Sequence, residues 1–427
     1  MDYQFSLDFA RTQDSADPLR GFRDEFYFPQ HNGQDVVYLT GNSLGLQPKP
    51  VREYIEQELE DWSKHGVEGH FNARRPWMPY HEFFQKSLAR LMGAKETEVV
   101  PMNGLTTNLH LLMVSFFRPQ GARTKMLTEA KAFPSDRYAV ESQLKFHGLD
   151  PAEHLIEVGP REGEHTIREE DVLKAIEGNA DELALVFIGG VNYYSGQLFD
   201  MEKITEAARA VGARIGWDLA HAAGNVDLKL HEWGPDFAAW CSYKYLNSGP
   251  GSVSGVFVHE RHHRDKELHR FAGWWGHNKE RRFLMEPGFD PIESAEAWQL
   301  SNTPVFAMAP HLASLHQFDR MNLDDRAAKR RDLTGYLEFV INDVAKRHNA
   351  TFEIITPKDS AQRGSQLSVL MHGQGKALFD RLSEKGVIAD WREPNVIRMA
   401  PVPMYNSYED IFRFGTYLNE ALTELNH

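Results

Sequence analysis

The stretch Arg214-Ile215-Gly216-Trp217-Asp218-Leu219-Ala220-His221, followed downstream by Trp240-Cys241-Ser242-Tyr243-Lys244-Tyr245-Leu246, decides how this chain is read. The first is an apolar strand pattern ending on an aspartate, directly after a helix pattern over 200–211 that opens on Asp200. The second is an aromatic, β-forming run that predicts a strand carrying Lys244 to the lip of the turn Asn247-Ser248-Gly249-Pro250-Gly251. Each alone is ordinary: a strand-end lysine points into water, and a strand-end aspartate caps or turns. Together they meet two demands of pyridoxal phosphate, an amine for a Schiff base and a carboxylate against the pyridinium nitrogen.

Working outward, apolar strands alternate with helices from about residue 95 to 300, which predicts an α/β fold. Its large domain holds a mainly parallel sheet of the seven-stranded type, with helices on both faces. Strands are expected at 125–128, 154–158, 183–188 and 253–258, with helices at 107–117 and 135–146 and a capping box at Thr166-Ile167-Arg168-Glu169. Three parts follow: an N-terminal arm and helix over 1–60 that packs with the smaller domain, a cofactor-binding large domain over 61–320, and a smaller α+β domain over 321–427.

The bulk numbers restrict the function. At 427 residues, 41% hydrophobic and 25% charged, the chain has the composition of a globular protein with ample core. A formal charge of -14 argues against nucleic acid or an anionic membrane as partner. A single cysteine suits a reducing compartment, and the acidic start without a signal core predicts a cytoplasmic protein.

Two further stretches suit the cofactor. Asn103-Gly104-Leu105-Thr106-Thr107 opens a helix, whose free N–H groups form an anion site, although Thr106 or Thr107 as a plain cap reads equally well. Ala132-Phe133-Pro134-Ser135-Asp136 offers an aromatic face and a second carboxylate at a strand end.

The chain resembles the kynureninase family in order over nearly its whole length. The resemblance rests on Gly41-Asn42-Ser43-Leu44-Gly45, Arg75-Pro76-Trp77, 103–110, Phe133 to Asp136 and Tyr194 to Gln197. It continues through Asp218 to Asn225, Cys241 to Asn247, Gly273-Trp274-Trp275-Gly276-His277, Ser301-Asn302 and Arg398 to Asn406. It implies a pyridoxal-phosphate enzyme of the aspartate-aminotransferase-like fold, working as a homodimer. Such an enzyme cleaves kynurenine or 3-hydroxykynurenine hydrolytically to anthranilate or 3-hydroxyanthranilate plus alanine.

Carried over, the resemblance makes Lys244 the Schiff-base lysine, Asp218 the ring-nitrogen partner and His221 a neighbour of the ring. Leu105, Thr106, Tyr243 and, from the second subunit, Trp274 and Asn302 would hold the phosphate end. Phe133 would stack on the ring and Asp136 would touch its phenolic side. Arg398 would clamp the substrate carboxylate, with Ser43, His70, Ser301 and Asn302 further substrate-binding positions. Tyr243 is the candidate proton relay or else a pure phosphate anchor. Where the family often carries a small hydroxyl residue near the cofactor, this chain has Gly189.

Two rival readings are weighed. His259-Glu260-Arg261-His262-His263 matches the HExxH zinc-protease pattern, yet it directly follows a strand where that chemistry needs a helix, so no metal is expected. Cysteine desulfuration, or another lyase-like reaction on the same fold, would need a mobile nucleophilic cysteine, and the sole Cys241 sits three residues before Lys244.

Overall fold

The computed structural model describes residues 2–425. Helices of two turns or more are α1 (Leu7–Ala16), α2 (Val51–His65), α3 (Gln85–Met92), α4 (Leu105–Phe116), α5 (Pro134–Phe146), α6 (Glu169–Gly178) and α7 (Met201–Ala210). They continue with α8 (Val305–Asp319), α9 (Leu323–Arg347), α10 (Gly375–Glu384) and α11 (Tyr408–Leu425). The large sheet has seven strands: β1 (Val99–Pro101), β2 (Lys125–Glu129), β3 (Leu155–Val158), β4 (Leu183–Gly189), β5 (Arg214–Asp218), β6 (Phe237–Trp240) and β7 (Gly255–Val258). Their order across the sheet is β1-β7-β6-β5-β4-β2-β3. Strands β2 to β6 run parallel, and β7 runs antiparallel to both β6 and β1. The expected α/β architecture, mainly parallel, is therefore present.

Burial on both faces explains why the strands read as continuous apolar runs. In β4 every residue is buried, with Val186 and Ile188 in one core cluster and Leu185 and Phe187 in another. Helices α4 and α5 supply Leu109, Leu112 and Leu144 to the second cluster, while α6 and α7 supply Ile176 and Ile204 to the first. Asp200 caps the start of α7 by accepting from Lys203 N at 3.1 Å.

The C-terminal part carries a four-stranded antiparallel sheet of β8 (Phe352–Ile354), β9 (Leu367–Met371), β10 (Asp390–Arg392) and β11 (Val396–Met399), in the order β8-β9-β11-β10. Leu337 and Val340 of α9 and Phe414 and Leu418 of α11 pack with Ala10, Val37 and Leu39 in a core cluster of this part. The two-residue strand Val37–Tyr38 pairs in parallel with Val387–Ile388. Phe26, Tyr38 and Leu46 belong instead to the large-sheet core. Among the described residues no helix is long and apolar enough to cross a membrane.

Two local expectations are corrected. Lys244 is not on a strand: β6 stops at Trp240. Ser242 Oγ bonds to Val253 O, Ser248 N to Ser242 O, and Asn247 adopts a φ of 53°, so the backbone curls where the aromatic run predicts extension. The capping box at Thr166 does not form either. Helix α6 starts at Glu169 with Arg168 at its cap and no side-chain bond, because the Ile167 N–H is taken at 2.9 Å by Gln197 Oε1.

Candidate active site

The C-terminal ends of β2, β4 and β5, the start of α4 and the loop after β6 converge on a cavity of about 720 Å³. Such a position, outside the carboxyl ends of parallel strands, is where open α/β sheets bind ligands. Ser43, Leu105, Thr106, Phe133, Asp136, Asp218, His221, Tyr243, Lys244 and Arg398 all line it.

The lysine loop is held from below and from the N-terminal segment. Gly45 N donates to Tyr243 O at 2.8 Å. A Cβ on Gly45 would lie 2.5 Å from Lys244 O, so this close approach requires glycine. Lys244 Nζ lies 3.0 Å from His221 Nε2 and 5.9 Å from the centre of the Phe133 ring. Burial, reinforced by the charge on Lys244, holds His221 well below the usual histidine range, so its ring is neutral. The ammonium then donates to Nε2, which leaves the proton on Nδ1, and Nδ1 is buried without a partner.

Asp218 closes the floor, its Oδ1 accepting from Ala220 N at 2.9 Å. Asp136, at the first turn of α5, is also buried, and burial together with the facing Asp218 pushes its carboxyl well up. Asp218 is raised by burial too, opposed by Asp136 and Lys244. Of this facing pair Asp136 keeps the proton. The Tyr243 hydroxyl is pushed up by burial and then by Cys241, so it stays a donor at neutral pH.

The chemistry of these donors fits pyridoxal phosphate. Gly104 caps α4 without a side-chain bond, and the N–H groups of the first turn have no partner within the helix. Open space surrounds Gly104 on the cavity side, which suits a phosphate. The buried, unpartnered His221 Nδ1 and the Asp218 carboxylate could serve a polar aromatic ring beside Phe133.

At the far wall Arg398 on β11 is almost fully buried. Its Nη1 donates to Tyr193 O at 2.6 Å, its Nη2 is paired with Asp390, and its Nε has no partner. Arg392 on β10 reaches the same Asp390 oxygen at 3.3 Å.

The remaining candidates lie elsewhere in the chain. His70 and Asn302 line a separate hollow of about 230 Å³ with Trp62, Trp77 and Phe306, and Trp274 lines a third with Arg282 and Phe289. Ser301 is exposed beside Asn302. Sequence reasoning passed over three titratable cavity residues, Glu129, Tyr193 and Arg392. Only for Glu129 was there a signal, a carboxylate at a strand end just as at Asp218.

The HExxH residues do not act together. His263 Nε2 bonds to Val258 O at 2.9 Å, while His259 Nδ1 accepts from Arg261 N at 3.2 Å and faces Glu98. They sit on and beside a single 3-10 turn that follows β7, at the end of the sheet opposite the cavity.

A family model described as kynureninase C-terminal domain matches residues 327–418. A kynureninase of Flavobacterium johnsoniae is 56% identical over 422 residues, covering 99% of both chains. One of Flavobacterium psychrophilum is 55% identical over 424 residues, covering 99% of this chain and 100% of the relative. The chain belongs to the kynureninase family. It is a pyridoxal-phosphate-dependent hydrolase that cleaves kynurenine between Cβ and Cγ, releasing alanine. Among solved structures, a cysteine desulfurase from Thermococcus onnurineus NA1 superposes with a TM-score of 0.73 at 18% identity, covering 91% of this chain and 95% of that one. That likeness is one of fold. Desulfuration has no nucleophile here, since Cys241 is buried, bonded to Ala220 O, and its thiol is pushed up by burial. For a kynureninase the cavity supplies a lysine, acids and arginines, and the cysteine is not among the residues that line it.

Proposed function

We propose that Lys244 carries the cofactor, with Asp218 at its ring nitrogen and Phe133, Asp136 and His221 around the ring. The N–H groups at Leu105 and Thr106 and the Tyr243 hydroxyl take its phosphate. The convergence of Lys244, Asp218, His221 and the open helix start on one cavity carries this reading. Pyridoxal phosphate supplies the electron sink that lets the substrate Cα lose its proton. Lys244 moves that proton, its amine oriented by the neutral His221. Arg398 binds the substrate carboxylate through its unpartnered Nε and remaining N–H groups, a fork geometry that lysine lacks. Tyr243 donates to the ketone oxygen as water adds, regains a proton from that water, and gives it to Cβ as the bond to Cγ breaks, a hydroxyl proton of the hydrated ketone then restoring the phenol.

The same reading divides the chain into an arm over 1–60, a large domain over 61–320 and a small domain over 321–427. It makes the protein a cytoplasmic homodimer with shared sites. The second subunit is needed because His70, Asn302 and Trp274 lie outside the lysine cavity, among exposed apolar side chains such as Trp62, Phe71 and Phe306. Mixing Lys244→Ala with Trp274→Ala protomers, each inactive, is expected to restore activity, and no recovery would refute shared sites.

The substrate preferred is 3-hydroxykynurenine. His70 Nδ1 is committed to Val67 O at 2.9 Å, which leaves Nε2 as acceptor for a phenolic O–H beside the Asn302 amide and Ser301. One hydrogen bond left unmade in a closed site costs about 1–3 kcal/mol, or roughly a five- to 150-fold preference. The measurement is kcat/KM for both substrates in the wild type and in Asn302→Thr. A wild type favouring plain kynurenine sinks the preference and leaves the family assignment standing.

A further inference from the structure

One buried acid of the cavity has no task in this chemistry. Glu129 ends β2, and Gly189 and Asp218 end the next two strands across the sheet, β4 and β5. Gly189 has no side chain, and the Glu129 carboxyl lies in the space above it. A methyl group at 189 would stand 2.9 Å from Glu129 Oε1.

The orientation of that carboxyl is fixed by its partner. Oε2 accepts from Asn192 Nδ2 at 2.8 Å. The Asn192 amide cannot turn over, because its Oδ1 accepts from Tyr194 N, Ser195 N and Ser195 Oγ. Oε1 is therefore the oxygen turned to Gly189 and the cavity, whose wall includes Glu129.

The titratable groups facing it are Asp218 from β5, Asp136 from α5 and Tyr193 from the loop after β4. Lys244, the cavity's ammonium, is directed at His221. Burial, with the charge of Asp218 and against the Asn192 bond, pushes Glu129 up to about 7.

We propose that Glu129 is a positioning residue of the cofactor site: laid over Gly189 beside Asp218, it holds one exchangeable proton that sets how much negative charge faces the pyridine ring. With that proton on, Asp218 is the single full charge at the ring nitrogen. With it off, two carboxylates share the floor and hold protons on the bound cofactor more tightly. Glu129 acts through Asp218 and touches no substrate atom. The inference rests on the assignment of Asp218 to the ring nitrogen.

Glu129→Gln is the informative variant, because its amide oxygen can still accept from Asn192 while the titration is lost. In the cofactor-free protein, infrared difference spectra across neutral pH are expected to show a protonated-carboxyl band that disappears near pH 7 in the wild type and is missing in Glu129→Gln. In the loaded protein the pH midpoint of the visible absorption change should fall by about one unit, as expected for removing a nearby negative charge. Glu129→Ala, which leaves Asn192 Nδ2 without its acceptor, should weaken pyridoxal phosphate binding to the cofactor-free protein by about tenfold.

An infrared band and an absorption midpoint both unchanged in Glu129→Gln overturn the proposal, whether or not Glu129→Ala folds. Asp218→Asn separates the two levels of the argument. If it shifts the absorption while Glu129→Gln does not, the Glu129 role alone fails. If Asp218→Asn leaves the spectrum untouched, the ring-nitrogen assignment fails with it.

Discussion

Both ends of the large sheet bury acids beside histidines, and they do so to opposite effect. Where β2, β4 and β5 finish, Glu129, Asp218 and the neighbouring Asp136 have their carboxyls pushed up by burial, and His221 keeps an unpartnered nitrogen. Where β6 begins and β7 ends, Asp236 is as deeply buried but surrounded by donors: His262 Nε2 at 2.7 Å, Arg261 Nη2 at 2.8 Å, Arg214 Nη1 at 3.1 Å and Ile215 N at 2.8 Å. Burial alone would raise Asp236, yet the bonds from His262 and Arg261 hold it well below the usual carboxylate range. Nearby Glu98 accepts from Lys95 N and Glu260 N at 2.9 Å each, and from His231 at 3.0 Å. Acids with all their donors in place fasten the fold, whereas acids left short of them are available to a ligand.

The largest expected effect tests the open end. Lys244→Ala should lower kcat by at least about 10³-fold, the upper range of a proton-transferring group, with the melting temperature retained. Wild-type turnover in that variant would remove Lys244 from the chemistry. Next, Asp218→Ala should lose about 100-fold in kcat/KM, while Asp218→Glu, which keeps a carboxylate, loses much less. Equal activities would remove the Asp218 carboxylate from the site.

At the closed end the effects should appear in stability. Asp236→Asn should cost about 3 kcal/mol in denaturant unfolding, with kcat unchanged, because Arg261 and Arg214 lose their buried counter-charge. A fall in kcat without loss of stability would contradict the division.

The pH dependence should run in opposite directions. A depressed acid such as Asp236 contributes stability that is fully present above its unfolded value, near 4, and is lost as pH falls. A raised acid such as Glu129 contributes stability that is full below its unfolded value and is lost as pH rises towards about 7. For the cofactor-free protein, Asp236→Asn should flatten the acid limb and Glu129→Gln the limb between about pH 4 and 7. The smallest expected effect is His231→Ala, about 1 kcal/mol of stability and no change in kcat, since Glu98 keeps its two backbone donors.

The sheet was legible in the sequence because buried strands are written as apolar runs, and β5 and β4 were read nearly to their ends. Asp218 was legible as well, since a strand end is set by the same pattern. Lys244 was legible as a residue but not as a loop, because the Ser242 and Asn247 contacts that end β6 come from residues that also tolerate a strand. Helix α8 escaped notice: Pro304 precedes it, Pro310 lies inside it, and its largely buried surface leaves no polar face to mark the helical period. Helix α10 opens on a glycine and gave no start signal. His70, Trp274 and Asn302 came only from the family resemblance, since nothing in their local pattern links them to a lysine far along the chain. Glu129 carried a strand-end signal like that of Asp218 and was passed over because its partner, Asn192, lies in a loop whose path only the fold supplies.

The pairing of the N-terminal segment with the C-terminal part has a consequence for the order of assembly. The segment around Val37 to Gly45 emerges from the ribosome among the first residues, yet its partners are Tyr243, Gln366, Val387, Ala400 and Asn406. Synthesis of the intervening chain takes on the order of tens of seconds. Throughout that time the large sheet and the Gly45 contact beneath Lys244 can form, but the pairing of Val37 and Thr40 with Val387 and Ala400 cannot, and the cavity lacks the wall that carries Arg398. The lysine cavity is therefore complete only once the last strand, β11, has been made, and a chain truncated before β11 would fold its large sheet without the Arg398 wall.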